Sequence, residues 1–321
     1  MARYLITGIA GFIGSTLAHT LVERGDEVRG IDNLSTGSLD NLADIRDRID
    51  FQQMDLQDAA GIKSACDGID FILHEAALAS VPRSVKDPLT SHESNINGTL
   101  NLLLAARDAR VRRIVYAASS SAYGDQPTQP KQEDLPPLPL SPYAVQKLAC
   151  EYYLQAFYRT YGLEGICLRY FNIFGPRQAA DSPYSGVIAK FTTAMMAGET
   201  PTIFGDGLTS RDFNYIDNAV SANLLACQAP SAVATGRVFN VGTGESHTLN
   251  EVYAAIAGLL GFAGKPIYGP PRAGDIRHSL ADIQRADAEL GYQPKAHFHE
   301  GLRKTVAWYL AEKEKRAAAA L

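Results

Sequence analysis

The 321-residue sequence has one tryptophan and only four cysteines. Cys66, Cys150, Cys167 and Cys227 lie far apart and form no CxxC pair. That spacing excludes a compact disulfide framework and a zinc site of the usual pattern; reduced core thiols in a cytoplasmic protein are expected. No stretch approaches about 18 uninterrupted apolar residues, so no membrane span is expected. Nor is there an excess of positive charge. The formal net charge is −5 and the pI is near 5.8, which argues against a nucleic-acid partner held by bulk attraction. A phosphorylated ligand would need a local site. The first residues carry no separate charged region and no small-residue cleavage site, so no signal peptide is expected.

What is present is ordinary globular composition, 46% hydrophobic and 20% charged. Short apolar runs alternate with helical patterns. Strands are expected at 4–7, 27–32, 49–53, 71–74 and 113–118, with helices over 12–24 and 98–109 between them. Repeated strand, helix, strand units predict an α/β fold with a doubly wound parallel sheet, Rossmann-like, over residues 1–175. The proline-rich run at 135–142 must be an extended loop. A long helix over 142–161 follows, with Ser141 as its N-cap and Pro142 at its first position. After about residue 175 the pattern loosens into a smaller C-terminal lobe, 176–321, suited to binding a substrate. Residues 237–241 read as one more strand of the main sheet, and the alanine-rich end, 312–321, as a fraying helix or tail.

Gly8, Gly11 and Gly14 give G-x-x-G-x-x-G between the first strand and the first helix. The first glycine permits a tight turn, the second lets backbone amides approach a pyrophosphate, and the third lets helix and strand pack closely. A lone triplet is often just a strand-to-helix turn. Here an acid, Asp32, ends the second strand 18 residues after Gly14. A carboxylate at that point accepts from ribose hydroxyls and repels a 2′-phosphate, so NAD is expected over NADP. Asp55, after the third strand, is placed to accept an adenine amine; an Asp there is also a common N-cap.

Tyr143 and Lys147 form Y-x-x-x-K, which puts both side chains on one helix face. A nearby ammonium and the charge of an oxidised nicotinamide favour the phenolate and bring Tyr143 towards the working range of a base. Ser119, Ser120 and Ser121 follow a strand, where active sites open in such sheets. Three serines also suit a polar turn. With the glycine fingerprint, however, a strand-end serine plus a helical tyrosine and lysine make a complete hydride-transfer site.

These motifs, in order, are TGIAGFIG at 7–14, DNLSTG at 32–37, HEAALASV at 74–81, NINGT at 95–99, SSSAYGD at 119–125, SPYAVQK at 141–147, RYFNIFGPRQ at 169–178, FGDG at 204–207, SRDF at 210–213 and RAGDIRHSLAD at 272–282. Taken together they cover nearly the whole chain, and the sequence resembles the extended short-chain dehydrogenase/reductases, in particular the UDP-hexose 4-epimerases. The likeness is greatest to bacterial UDP-N-acetylglucosamine 4-epimerases of polysaccharide biosynthesis. It implies Tyr143 as acid/base, Lys147 on the nicotinamide ribose and Ser119 as the catalytic hydroxyl, with Ser120 and Ser121 beside the sugar; that register can slip by one. It implies that Phe12, Ile13, Asn33, Ser35, Thr36, Gly37, Leu56, Ala76, Ala77, Asn95 and Tyr170 line the cofactor. Asn172, the segment from Val187 to Phe191, and Phe204 would approach the UDP, and Arg211, Arg272 and Asp275 would bind its phosphates and ribose.

The same resemblance separates neighbouring reactions. Dehydratases of this fold carry an Asp-Glu pair where Ser120 and Ser121 stand, and decarboxylases a Glu in that stretch. Glucuronate 4-epimerases carry Thr at the place of Asn172 and Arg at that of Ala179. A neutral UDP-hexose is therefore expected. Ser279 corresponds to the position beside the sugar's 2-substituent, where bulk excludes an N-acetyl group; a serine leaves room, although it is also an ordinary loop residue. A true oxidoreductase or a silent NAD binder would share the cofactor motifs. A homodimer is expected by analogy, paired through the Tyr143 helix, with Tyr152, Tyr153 and Phe157 as its candidate contacts.

Overall fold

A computed structural model describes residues 1–180, 186–271 and 276–319 of the chain. Its centre is a seven-stranded sheet. The strands are β1 (Arg3–Thr7), β2 (Glu27–Asp32), β3 (Asp50–Gln53), β4 (Phe71–His74), β5 (Arg113–Ser119), β6 (Glu164–Tyr170) and β7 (Thr235–Val241). They run in the order β7-β6-β5-β4-β1-β2-β3, and every neighbouring pair is parallel. The order reverses between β1 and β4. The carboxyl ends of those two strands therefore diverge and leave a crevice, the usual place for a ligand in such a sheet.

Both faces of the sheet are covered, and side-chain alternation sorts the strands between two cores. Tyr4, Ile6, Phe71, Leu73, Val115, Ile166, Leu168, Phe239 and Val241 face one core. Leu5, Ile72, Ile114, Tyr116, Cys167 and Val238 face the other. The helices Phe12–Glu23 and Ile216–Gln228 cover the first face. Ala59–Ala65, Gly98–Asp108 and Pro142–Tyr161 cover the second. The doubly wound α/β reading is thus correct. Its strand limits shift slightly: β3 starts at Asp50, and β5 runs one residue further than the apolar pattern, ending on Ser119.

The Pro142–Tyr161 helix begins where the Ser141 hydroxyl accepts from the Ala144 amide at 3.2 Å and ends at Gly162 in the left-handed conformation, φ 73°. Its inner face carries Lys147, Cys150, Leu154 and Phe157. Phe157 is therefore core and not a surface contact. Tyr153 is half-buried against the same core. Only Tyr152 of the three expected contacts is exposed, at 53%, with Val145 and Tyr161 also open.

The later chain returns to the sheet as β7, beside β6. Arg113, fully buried at the start of β5, donates to the carbonyls of Ala226 and Ala229 at the end of the Ile216–Gln228 helix, both at 2.7 Å. It also pairs with Glu164 at the start of β6. Those orphan carbonyls and one carboxylate satisfy a charge that burial would otherwise make costly. Beyond the main sheet, three small sheets form among the described residues: Thr202–Phe204 with Ile267–Gly269, Ile173–Phe174 with Asn214–Tyr215, and Ser210–Arg211 between His247–Thr248 and His278–Ser279. The alanine-rich end continues the long helix Phe298–Ala319. Among the described residues no helix is long and apolar enough to cross a membrane, and the four cysteines are free and buried.

Candidate active site

The crevice between β1 and β4 is walled by Gly8, Gly11, Phe12, Ile13 and Gly14 on one side and by Asp32, Asn33, Ser35, Thr36, Asp55 and Leu56 on another. Glu75, Ala76, Ala77 and Leu78 close it at the end of β4. Gly8 adopts φ +69°, and a Cβ on it would lie 2.9 Å from the Ala76 backbone. A Cβ on Gly14 would lie 2.2 Å from the Gly8 carbonyl oxygen. Neither position admits a side chain without moving the turn or the helix. Gly37, next to Thr36, packs on the glycine turn: a Cβ there would meet Ala10 at 2.9 Å.

The residues present fit a dinucleotide. The Phe12–Glu23 helix has Gly11 as its N-cap and no side chain closing its first amides, which leaves them to an anion. Asp32 accepts from the Ala10 amide at 3.0 Å through one carboxylate oxygen and from Leu34 at 2.8 Å through the other. Each oxygen keeps acceptor capacity for a ribose hydroxyl. Burial raises the Asp32 carboxyl above its usual range, against the pull of those two amides. Asp55 accepts from Asn33 Nδ2 at 2.7 Å and from the Gln57 amide at 2.9 Å. It caps no helix; Asp58 does that for Ala59–Ala65.

Asn95 departs from expectation. It is 3% exposed, accepts from the Leu78 amide and donates to Gln146, each at 2.8 Å. It sits in a π-helical turn, Glu93–Asn97. The wider turn rotates Asn95 inward, and Ser94 lines the cleft in its place. Asn95 thus braces the Leu78 wall from behind.

At the carboxyl end of β5, Ser119 is brought to Tyr143. The Ser119 hydroxyl acts on the Tyr143 phenol, and Ser119 Oγ accepts from the Ser121 hydroxyl at 2.8 Å and its amide at 3.2 Å. The Tyr143 amide donates to Ser84 Oγ at 3.0 Å, which fixes the first turn of the helix. Lys147 is 3% exposed; its Nζ donates to the Ala117 carbonyl at 2.7 Å and lies 4.8 Å from the centre of the Tyr116 ring. Burial lowers the Lys147 ammonium, with Cys150, Glu75 and Glu151 acting the other way.

The expected approach of Tyr143 to neutrality is not a property of the protein alone. Burial pushes its phenol up to about 12, opposed by the Ser119 hydroxyl. The reason is local: the Lys147 ammonium is turned to a strand carbonyl, and desolvation outweighs the remaining field.

Glu75 is absent from the residues expected above, although the HEAALASV motif contains it. The signal is an acid directly after a fully buried strand. Its Oε1 accepts from the Tyr170 hydroxyl at 2.9 Å, so Tyr170 reaches the cleft wall through Glu75.

A second cleft, in the lobe, is lined by Phe204, Gly205, Asp206, Thr209, Gly269, Pro271 and Arg277. Phe204 is where the resemblance places it. Arg277, unforeseen, pairs with Asp206 at 2.8 Å. Arg211 lies beside it on the central strand, donating to the Ser210 carbonyl at 2.9 Å. Ser279 pairs in register with Arg211 and is 9% exposed. Asn172 is exposed at the end of β6, its carbonyl held by the Asn214 amide. Val187 is half-buried at the first turn of the Val187–Met196 helix. Phe191 is core, 4% exposed and edge-on to Tyr253 at 5.8 Å; one helical turn beyond Val187, it faces inward and not a ligand. Arg272 and Asp275 lie outside the described residues.

Comparison with known proteins agrees with this architecture. Residues 4–242 match the model of the NAD dependent epimerase/dehydratase family. A UDP-glucose 4-epimerase of Mycolicibacterium smegmatis is 41% identical over 96% of this chain and 98% of its own length. The solved UDP-N-acetylglucosamine 4-epimerase of Methanobrevibacter ruminantium, in complex with UDP-N-acetylmuramic acid, superposes with a TM-score of 0.92 at 40% identity, covering 97% and 99% of the two chains. The UDP-glucose 4-epimerase of Thermus thermophilus in complex with NAD gives 0.87 at 38% identity, over 96% and 99%. With the glycine cradle, the Asp32 carboxylate and the strand-end site all in place, the chain belongs to the NAD-dependent epimerase/dehydratase family, among the extended short-chain dehydrogenase/reductases.

Proposed function

We propose that this protein inverts the C4 hydroxyl of a UDP-hexose, with UDP-GlcNAc and UDP-GalNAc as its first substrate pair and UDP-Glc and UDP-Gal as a second. The observation that carries the reading is Ser119, at the carboxyl end of β5, acting on the Tyr143 phenol, with serines and no carboxylate at 120 and 121. Dehydration needs an acid in that stretch. Here Ser121 instead holds Ser119.

Tyr143 takes the C4 hydroxyl proton and later returns it, while Ser119 holds the sugar oxygen. A phenol pushed up to about 12 by burial becomes a base when the positive charge of the oxidised cofactor faces it. Bound NAD accepts the C4 hydride and gives it back, so none is consumed. Lys147 keeps two donors beyond its bond to Ala117 for the adjoining ribose. Phe204, Arg211 and Arg277 in the lobe hold the UDP while the 4-keto sugar turns over. Ser279, small at its strand position, leaves room for a 2-acetamido group. The UDP-glucose and UDP-N-acetylglucosamine 4-epimerases among the relatives support both substrate pairs.

The exposed face of the Tyr143 helix, with Val145, Tyr152 and Tyr161, is the surface we assign to a homodimer. The catalytic reading is tested by incubating the pure protein with UDP-GlcNAc and UDP-Glc separately, without added cofactor, and resolving products by NMR. Interconversion at C4 with no net NADH is expected; no change in either sugar, even with NAD supplied, contradicts it.

A further inference from the structure

Where β4 ends, the chain puts an acid into a wall otherwise made of alanine and leucine. Glu75 lines the cofactor cleft, and its two carboxyl oxygens are treated differently. Oε1 accepts from the Tyr170 hydroxyl at 2.9 Å. That hydroxyl in turn accepts from Asn223 Nδ2 at 2.6 Å. Oε2 is buried with no hydrogen-bond partner. A carboxylate so placed is expensive unless a positive charge compensates it.

The groups facing Glu75 are Tyr170 from β6, Lys147 from the Pro142–Tyr161 helix and Asn223 from the Ile216–Gln228 helix. On its own strand, His74 is engaged by Thr7 and Thr99 at 2.7 and 2.9 Å, and burial drives its imidazole down to about 3, so it stays neutral. Lys147 is thus the one facing cation among the described residues, and its ammonium is already bonded to the Ala117 carbonyl. Burial raises the Glu75 carboxyl to about 7, with Tyr170, Lys147 and Asn223 holding it from rising further. The cofactor's redox ring must reach Ser119 and Tyr143 to exchange a hydride with a sugar held there. That brings it to the end of the cleft where Lys147 and Glu75 act on each other.

We propose that Glu75 makes the protein's hold on its cofactor depend on oxidation state, its ionised carboxylate favouring the cationic nicotinamide ring of NAD+ over the neutral dihydronicotinamide of NADH. A charge in this largely buried wall is screened less than one in open water. The resting enzyme then keeps the oxidised form that a 4-hydroxyl substrate requires. Binding NAD+ near neutral pH releases the Glu75 proton to solvent; binding NADH does not. The inference rests on the cleft being an NAD site and is independent of which sugar is used.

The test equilibrates the full-length holoenzyme with an equimolar mixture of NAD+ and NADH between pH 5.5 and 8.5. The bound nucleotides are then quantified by chromatography after desalting. In the native protein the ratio of bound NAD+ to NADH should rise about tenfold with a midpoint near pH 7, one unit of displacement corresponding to about tenfold in affinity. In Glu75→Gln the ratio should be flat. In Tyr170→Phe, which removes the donor to Oε1, the midpoint should move to higher pH. A native ratio that is flat, a Glu75→Gln profile that keeps the native rise, or a Tyr170→Phe midpoint that stays in place would each overturn the proposal. If Glu75→Gln does not fold, the Tyr170→Phe midpoint decides. Absence of both nucleotides at every pH would overturn the cofactor assignment and this proposal with it.

Discussion

The Ser121 hydroxyl donates to Ser119 Oγ at 2.8 Å, and the Ser119 hydroxyl acts in turn on the Tyr143 phenol. A line of three hydroxyls therefore leads from a strand end to the base. It orders the expected losses. Tyr143→Phe removes the proton carrier, and kcat should fall by about 10²–10⁴-fold. Ser119→Ala should cost less than that but more than tenfold. Ser121→Ala removes one neutral hydrogen bond, worth about 1 kcal/mol, and should slow turnover by only about fivefold. Steady-state rates of the three variants check the order; a Ser121→Ala loss exceeding that of Ser119→Ala would contradict it.

Asp32 bonds two backbone amides of the glycine turn and the following loop while lining the cleft. Asp32→Asn keeps the shape and removes the charge. NAD affinity should fall by about tenfold or more, the scale of one charge-assisted hydrogen bond, and discrimination against NADP should shrink. Calorimetric titration of the stripped protein with each cofactor measures both.

His74 sets a pH limit on stability. Its imidazole is fully buried and lowered to about 3, so the folded state resists a proton that the unfolded chain takes near 6.5. A base with a depressed folded value stabilises the fold above the unfolded value, and that stability is lost as pH falls from about 6.5 towards 3. Between pH 6.5 and 5 the loss from His74 is up to about 2 kcal/mol, at 1.36 kcal/mol per unit. Urea unfolding at pH 7 and pH 5 should show a larger drop for the native protein than for His74→Gln. Equal drops would place the acid sensitivity elsewhere.

Ser279→Tyr adds bulk at the position read as lying beside the sugar's 2-substituent. UDP-GlcNAc turnover should fall more than tenfold while UDP-Glc turnover is largely kept, a steric exclusion. Parallel loss of both would remove Ser279 from the specificity determinants.

Tyr152 is 53% exposed on the outer face of the Pro142–Tyr161 helix. Tyr152→Glu places a charge in the surface assigned to dimerisation and should give a monomer in light-scattering chromatography. An unchanged mass would move the interface elsewhere.

The sheet was legible because buried parallel strands such as Arg3–Thr7 and Phe71–His74 are built around apolar runs, and because Ser141 and Pro142 mark the start of the long helix in the sequence itself. The glycine turn, Asp32 and the Ser119, Tyr143 and Lys147 set were legible because their chemistry sits at fixed spacing. What could not be read depends on contacts between distant segments. The π-helical turn at Glu93–Asn97 sends Asn95 behind the wall, and nothing local distinguishes it from an α-helix. Phe191 reads as a ligand contact until Tyr253, 62 positions away, is packed on it. Glu75 looks like a surface acid until Tyr170 and Asn223 close over it.

The most direct test of redox-neutral inversion at C4 uses UDP-GlcNAc carrying deuterium at C4, incubated with the pure protein in ordinary water. The account predicts UDP-GalNAc with the deuterium retained at C4 and no labelled NADH in solution, because the same hydride leaves and returns within one closed site. Loss of the label to water, or its release on free cofactor, would contradict it.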